Sequence, residues 1–210
     1  MKVKMKKIEK NPFNLFDSWF KEAKKKGINE PESLNLATST KDGRPSNRMV
    51  LMKNYDKRGF VFFTNLQSRK GREIKENPFA AMCFFWPETN KQIRIEGRLE
   101  QILDKDADDY FKTRPINSQI GATISKQSQP INENDFDLFK NSVMKSFKLL
   151  ATKGDIKRPE FWSGFTLIPD RIEFWQRGDF RIHKRISYSR NKNKNKDNIN
   201  DAWDITFLYP

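Results

Sequence analysis

The chain is 210 residues long, enough for one domain with a real core, and its 13% aromatic content, with 18 Phe, excludes a disordered polymer. Its 41 Lys and Arg against 27 Asp and Glu leave a net charge of +14, while one Cys excludes an internal disulfide and, with one His, a Cys/His metal cluster. No apolar run approaches a membrane span and no signal peptide is visible, so a cytoplasmic, metal-free protein is expected.

The start is Lys-rich (Lys2, Lys4, Lys6, Lys7, Lys10), and residues 1–10 are expected to be flexible. From about Asn14 to Lys26, the apolar residues Leu15, Phe16, Trp19, Phe20 and Ala23 recur at helical spacing, and Gly27 reads as the stop. Leu34–Ser39 reads as a strand, Lys41-Asp-Gly-Arg44 as a hairpin turn, and 47–54 and 59–65 as the next two strands. Ser68 can cap a helix that runs to about Glu76 and stops at Asn77-Pro78. Phe79–Trp86 is almost wholly apolar, which predicts a central strand buried on both faces.

Lys91–Gln101 alternates, with Gln92, Arg94, Glu96 and Arg98 opposing Ile93, Ile95, Gly97 and Leu99. Residues 104–113 and 135–150 read as helices, and the polar stretch 114–131 between them as a loop. Residues 161–168, 171–176, 181–187 and 202–208 complete the strands. With no linker or repeat, one α+β domain over 1–210 is expected: an antiparallel β-barrel with peripheral helices. The Lys/Asn run 190–200 reads as a low-complexity loop. Because much of the excess charge sits there and at the start, neither nucleic acid nor membrane is expected as a partner. Phe60, Phe62, Phe84 and Phe85 lie in apolar strands and are expected in the core rather than on a base-stacking surface.

Four segments carry more polar chemistry than a plain barrel requires. Arg48 and Lys53 bound a strand, and strict alternation puts them on opposite faces unless a bulge or strand end intervenes. Arg69, Lys70 and Arg72 crowd the first turn of the Ser68-capped helix, where the helix dipole disfavours cations and a phosphate would reconcile them. Tyr110, Arg114, Ser118, Gln127 and Ser128 offer donors for phosphate and ring heteroatoms. Finally, Arg181, His183 and Arg185 alternate, so a strand would stack all three on one face beside Trp175, a site for a flat, phosphorylated molecule. No G-x-S-x-G, Walker A or G-x-G-x-x-G motif is present, which leaves a cofactor to supply reactivity.

In order and spacing, RMVLMK at Arg48–Lys53, FFTNLQSRK at Phe62–Lys70, YFKTRPINSQIGATISKQS at Tyr110–Ser128 and IEFWQRGDFRIHKR at Ile172–Arg185 resemble the pyridoxine/pyridoxamine 5′-phosphate oxidase family. The resemblance runs from about Asn11 to Pro210 and implies an FMN-binding split β-barrel, a homodimer with active sites at the subunit interface. It implies oxidation of pyridoxamine or pyridoxine 5′-phosphate to pyridoxal 5′-phosphate, with O2 as acceptor and hydrogen peroxide released. The FMN contacts so implied are Arg48, Met49, Val50, Leu51, Met52, Lys53, Phe63, Thr64, Arg69, Lys70, Gln92, Gln127, Ser128, Trp175 and Arg185. The substrate contacts are Lys53, Tyr110, Arg114, Ser118, Arg181 and His183, with Arg181 and His183 at the reacting face.

The chain departs from the family pattern at Ser163, Arg177, Lys184 and Phe207, in its longer Asn/Lys insertion, and in lacking a lid-like Arg-Arg-Glu-Tyr segment within Met1–Lys10. A catalytically weak or inactive FMN/B6-phosphate-binding barrel is the alternative.

Overall fold

The computed structural model describes residues 8–152, 156–191 and 203–210. The expected flexible start and the Lys/Asn loop therefore lie largely outside the described residues. Helix α1 (Pro12–Lys25) begins where the Asn11 side chain accepts from the Phe13 N–H, with Pro12 fitting the first helical position. It ends with Gly27 at φ +72°, as the N–H groups of Gly27 and Ile28 reach back to Lys24 O and Ala23 O. This Schellman turn satisfies the last carbonyls and requires the left-handed backbone that glycine adopts freely. Phe13, Phe16, Phe20 and Ala23 form the buried stripe.

Among the described residues, nine strands make one antiparallel sheet: β1 (Ser33–Ser39), β2 (Pro45–Leu51), β3 (Asn54–Asp56), β4 (Gly59–Asn65), β5 (Phe79–Trp86), β6 (Lys91–Gln101), β7 (Trp162–Gln176), β8 (Lys184–Arg190) and β9 (Trp203–Leu208). The order is β2-β1-β5-β6-β7-β4-β3, with β8 pairing the far half of β7 and β9 pairing β8. β2 and β3 stand at opposite ends of that path, yet only Met52 and Lys53 separate them in sequence. Two residues span too little distance for a flat sheet, so the sheet must curl until its ends meet. The split comes from β7, whose first half pairs β4 and whose second half pairs β8.

The curl encloses Phe60, Phe62, Phe84, Trp86, Ile93, Ile95 and Phe174, and α1 closes it. Phe16 sits edge-on to Phe60 at 4.8 Å and to Phe84 at 5.4 Å between ring centroids. Each such ring contributes about 1.5–3 kcal/mol on burial. A second, smaller cluster of Phe111, Ile120, Ile156 and Trp162 lies beneath α3 (Asp104–Thr113), α4 (Ile116–Ile124) and α5 (Phe136–Ala151). Helix α2 (Arg69–Glu76) follows β4 directly.

Five expectations need correction. Strand β5 buries only one face: Met82, Phe84 and Trp86 are in the core, but Phe79 and Phe85 are 58% and 57% exposed. Phe85 therefore leaves the expected core set. The segment taken as a loop contains α4, held by Ile120 beneath and started at Pro115. The strands expected at 161–168 and 171–176 are one strand, β7, which continues through Pro169. A register shift between Glu96 and Gly97 leaves Asp170 without a β6 partner and relieves the missing proline N–H. The strand expected over 47–54 stops at Leu51, where Met52 N–H turns to Glu32 O and Lys53 N–H to Val61 O.

The largest correction concerns 181–187, since β8 begins only at Lys184. Residues Asp179–Arg181 form a 3-10 turn, with Phe180 and Arg181 in the left-handed region at φ 53° and 63°. Arg181, His183 and Arg185 therefore do not share one strand face.

Candidate functional site

The sheet's closure places β2, the end of β4, the start of α2 and the helices α3 and α4 around a cavity of about 800 Å³. That volume lies within the range of cofactor sites. Along β2, Arg48, Met49, Val50 and Leu51 line it, and Lys53 joins them because the strand ends before it. This strand end brings Arg48 and Lys53 to one cavity, as the sequence alternation required. Met52 differs: its side chain is 4% exposed in the core and lines no part of this cavity.

Phe63 and Thr64 on β4, Arg69 and Lys70 on α2, Tyr110 and Arg114 around the end of α3, and Ser118, Gln127 and Ser128 complete the expected lining. Ser128 takes φ 68°, in a turn closed by the Gln129 N–H to Lys126 O. Sequence reasoning missed Ser46, Asn65 and Trp162 in the wall. Trp162 stacks on Phe63 at 5.1 Å and 10°, and Phe63 on Tyr110 at 4.0 Å and 15°. Gly164 is what admits the Phe63 ring, since a Cβ there would stand 2.9 Å from it.

The cations are arranged, not merely gathered. Ser68 caps α2 by accepting from the Gly71 N–H, leaving the first amides of the helix pointing outward. Lys70 is only 8% exposed, and its Nζ donates to Ser68 Oγ at 3.3 Å and to Gln127 Oε1 at 3.1 Å. Burial, reinforced by the charge of Arg48, brings its pKa down to about 8. Arg114 lies over the Trp162 ring at 4.7 Å, and its Nη1 is buried without a hydrogen-bond partner. Burial lowers the Arg114 pKa and raises that of Tyr110. A buried lysine beside an arginine, together with an unpartnered guanidinium nitrogen, form a donor set that fits phosphate oxygens.

The remaining expected residues lie elsewhere in the chain. Trp175, Arg181 and His183 line a separate cavity of about 790 Å³ with Phe85, Asn90 and Phe180, sharing no residue with the first. His183 packs against Trp175 at 4.7 Å and accepts from the Gly178 N–H at Nδ1, so a neutral ring carries its proton on Nε2. Arg185 and Gln92 flank Trp175 as its register partners on β8 and β6. Arg185 is tied to buried Glu173, its Nε donating at 2.9 Å, and Arg94 pairs with the same carboxylate. Burial raises the Glu173 pKa, but the hydrogen bonds from Arg185 and Arg94 outweigh it and the net shift is downward. Among the described residues no cluster of His, Cys, Asp or Glu could hold a metal, and no helix is long and apolar enough to cross a membrane.

A family model described as pyridoxamine 5′-phosphate oxidase matches residues 20–147, and one described as the pyridoxine 5′-phosphate oxidase C-terminal dimerisation region matches 162–210. Pyridoxine/pyridoxamine 5′-phosphate oxidase of Pelagibacter ubique (strain HTCC1062) is 48% identical over 185 residues, 88% of either chain. The protein of that name from Trichormus variabilis is 42% identical, covering 97% of this chain and 90% of its own. Among solved structures, PhzG from Burkholderia lata 383, in complex with tetrahydrophenazine-1-carboxylic acid, superimposes with TM-score 0.86 at 30% identity over the whole of both chains. A pyridoxamine 5′-phosphate oxidase-related, FMN-binding protein from Nostoc punctiforme shares the fold at TM-score 0.73 and 19% identity, over 95% of this chain and 97% of its own.

Proposed function

The chain belongs to the pyridoxamine 5′-phosphate oxidase family, and from that premise we propose that it is an FMN-dependent oxidase of pyridoxamine or pyridoxine 5′-phosphate. The product is pyridoxal 5′-phosphate, O2 is the acceptor and hydrogen peroxide leaves. One observation carries the reading: a single cavity joins the Arg48, Arg69 and Lys70 cluster to a ring-stacked Arg114 with a buried, unpartnered Nη1. Two phosphate-bearing molecules, cofactor and substrate, would use those two sets of donors.

Arg48, Arg69, Lys70 and the first amides of α2 would hold the FMN phosphate, a dianion that suits buried cations. Met49, Val50, Leu51, Phe63, Thr64, Gln127 and Ser128 would border the rest of it, with Met52 acting through backbone alone. When bound, FMN supplies a two-electron acceptor for the hydride leaving C4′ of the substrate. Lys53, Tyr110, Arg114 and Ser118 would fix the substrate phosphate, and Trp162 orients Arg114 from beneath. Such fixing converts the encounter into a positioned reaction.

Trp175, Arg181 and His183 would meet this cavity from a second copy of the chain, with Gln92 and Arg185 beside them. A homodimer then has two sites, each drawing on both copies. There Arg181 places positive charge at the reacting face, and His183 offers its Nε2 proton to the ring substituents. We read residues 1–210 as one FMN-binding unit and, from the single cysteine, place it in the cytoplasm.

The test is aerobic turnover of pyridoxine 5′-phosphate and pyridoxamine 5′-phosphate by the purified chain with added FMN. FMN-dependent formation of the aldehyde with equimolar peroxide is expected. Tight FMN binding without product would leave a flavin-binding relative, and no flavin binding would overturn the reading.

A further inference from the structure

Glu73 is a charged residue with no place in the reading above. It sits in the middle of α2, 4% exposed, among the cations thought to meet a phosphate. Its Oε2 accepts from Thr38 Oγ1 and Ser46 Oγ, each at 2.5 Å, and its Oε1 accepts from Arg69 Nε at 2.9 Å. Arg48 closes the network: Nη1 donates to Thr38 Oγ1 at 2.6 Å and to Leu36 O at 3.2 Å. Its Nη2 donates to Ser46 Oγ and reaches Glu73 Oε2 at 3.4 Å. Four of the five Arg48 N–H groups are thereby engaged, and Arg69 is gripped at Nε alone.

The arithmetic of donors decides what this does. Arg48 keeps its Nε–H, Arg69 keeps both terminal amino groups, and Lys70 keeps one N–H beyond Ser68 and Gln127. Those are the groups left for a ligand, and both arginines are oriented by one carboxylate. Without it, Arg48 and Arg69 would repel each other, and long side chains at a helix start would be free to turn to solvent.

We propose that Glu73 is a positioning residue for the cofactor's phosphate, holding Arg48 directly and through the Thr38 and Ser46 hydroxyls while it aims Arg69. The inference rests on the flavin reading of this cavity. It runs against simple electrostatics, in which a buried carboxylate near a phosphate site weakens binding.

The experiment compares FMN with riboflavin, which lacks the phosphate, by titrating the purified full chain and following flavin fluorescence. Glu73→Ala is expected to raise the FMN Kd about tenfold or more while the riboflavin Kd stays within about twofold. Glu73→Gln, which keeps an acceptor but not the charge, should fall between wild type and Glu73→Ala. Should Glu73→Ala fail to fold, Thr38→Val removes one hydroxyl of the relay and should raise the FMN Kd about threefold, again sparing riboflavin. Equal losses for both flavins would make Glu73 merely structural, and unchanged or tighter FMN binding would overturn the proposal. A wild-type chain that binds neither flavin would instead remove the cofactor reading on which it stands.

Discussion

The two cavities of one chain are built on opposite plans. Around α2, Arg48 and Arg69 are tied to Glu73 and Lys70 to Ser68 and Gln127, and Arg114 stacks on the Trp162 ring. In the segment after β7, Phe180 is 95% exposed, Arg181 has a left-handed backbone, and among the described residues the Arg181 side chain makes no hydrogen bond or ion pair. A φ of this kind costs on the order of 1–3 kcal/mol in a non-glycine residue and persists where surroundings enforce it. One region is held in place by its own chain, while Arg181 in the other meets no such partner among the described residues. The proposed roles follow that contrast: phosphate retention for the first cavity, groups at the reacting face for the second.

The sharpest test of that separation is Arg181→Ala. Turnover at saturating substrate should fall about 100-fold or more, the scale of losing one charge-stabilising donor, with FMN affinity unchanged within twofold. Full turnover in that variant would remove Arg181 from the reacting face. Arg69→Ala should do the converse, weakening FMN by about 10- to 100-fold through lost charge-assisted hydrogen bonds, with turnover largely restored by excess FMN. Mixing the two variants tests whether the cavities meet across copies. At FMN too low to load Arg69→Ala, random pairing should regenerate one intact site in half the dimers, or about a quarter of wild-type activity. No recovery, with exchange of subunits demonstrated, would confine the site to one chain.

Acid stability separates the regions by a different route. Glu73 feels burial, which raises its pKa, but the bonds from Ser46, Thr38 and Arg69 prevail and bring it from 4.5 to about 2. A carboxylate held below its unfolded value stabilises the fold above about pH 4.5 and loses that contribution as pH falls toward 2. The contribution is about 3 kcal/mol at neutral pH. Denaturant unfolding at pH 7 and pH 3 should therefore show a flatter acid loss in Glu73→Gln than in wild type.

The smallest effect expected is on cofactor affinity in alkali. Free Lys70 loses its proton near pH 8, whereas a phosphate partner favours its charged form. FMN affinity should decline several-fold between pH 8 and 9, and Lys70→Arg should flatten that profile. An affinity independent of pH over this range in wild type would take Lys70 out of the clamp.

Much of this arrangement is legible in the chain. Gly27 marks the end of α1, whose start at Pro12 lies two residues before the expected Asn14, and Lys41-Asp-Gly-Arg44 announces the β1–β2 hairpin, because caps and turns are local chemistry. The cations misplaced at the start of α2 signal an anion site for the same reason. Helix α4 is hidden because Asn117, Ser118 and Gly121, all turn formers, surround Ile120 and Ile124, the residues its packing uses. The alternation of Arg181, His183 and Arg185 imitates a strand, and no local signal marks two successive left-handed residues at Phe180 and Arg181. The role of Glu73 is invisible for a further reason: Thr38 and Ser46 lie 35 and 27 residues away along the chain.

By itself, then, the sequence determined most of the elements, their turns and the kinds of group available, since periodicity, capping and charge placement act within a few residues. Tertiary structure decided which of those groups meet. Curling the sheet until β2 meets β3 brings Arg48 and Lys53 to one cavity, and the β7 bulge lets Pro169 stay within a strand. Burial then converts Glu73 from one more surface charge into the anchor of two arginines. These outcomes depend on long-range contacts and desolvation, which no local pattern encodes.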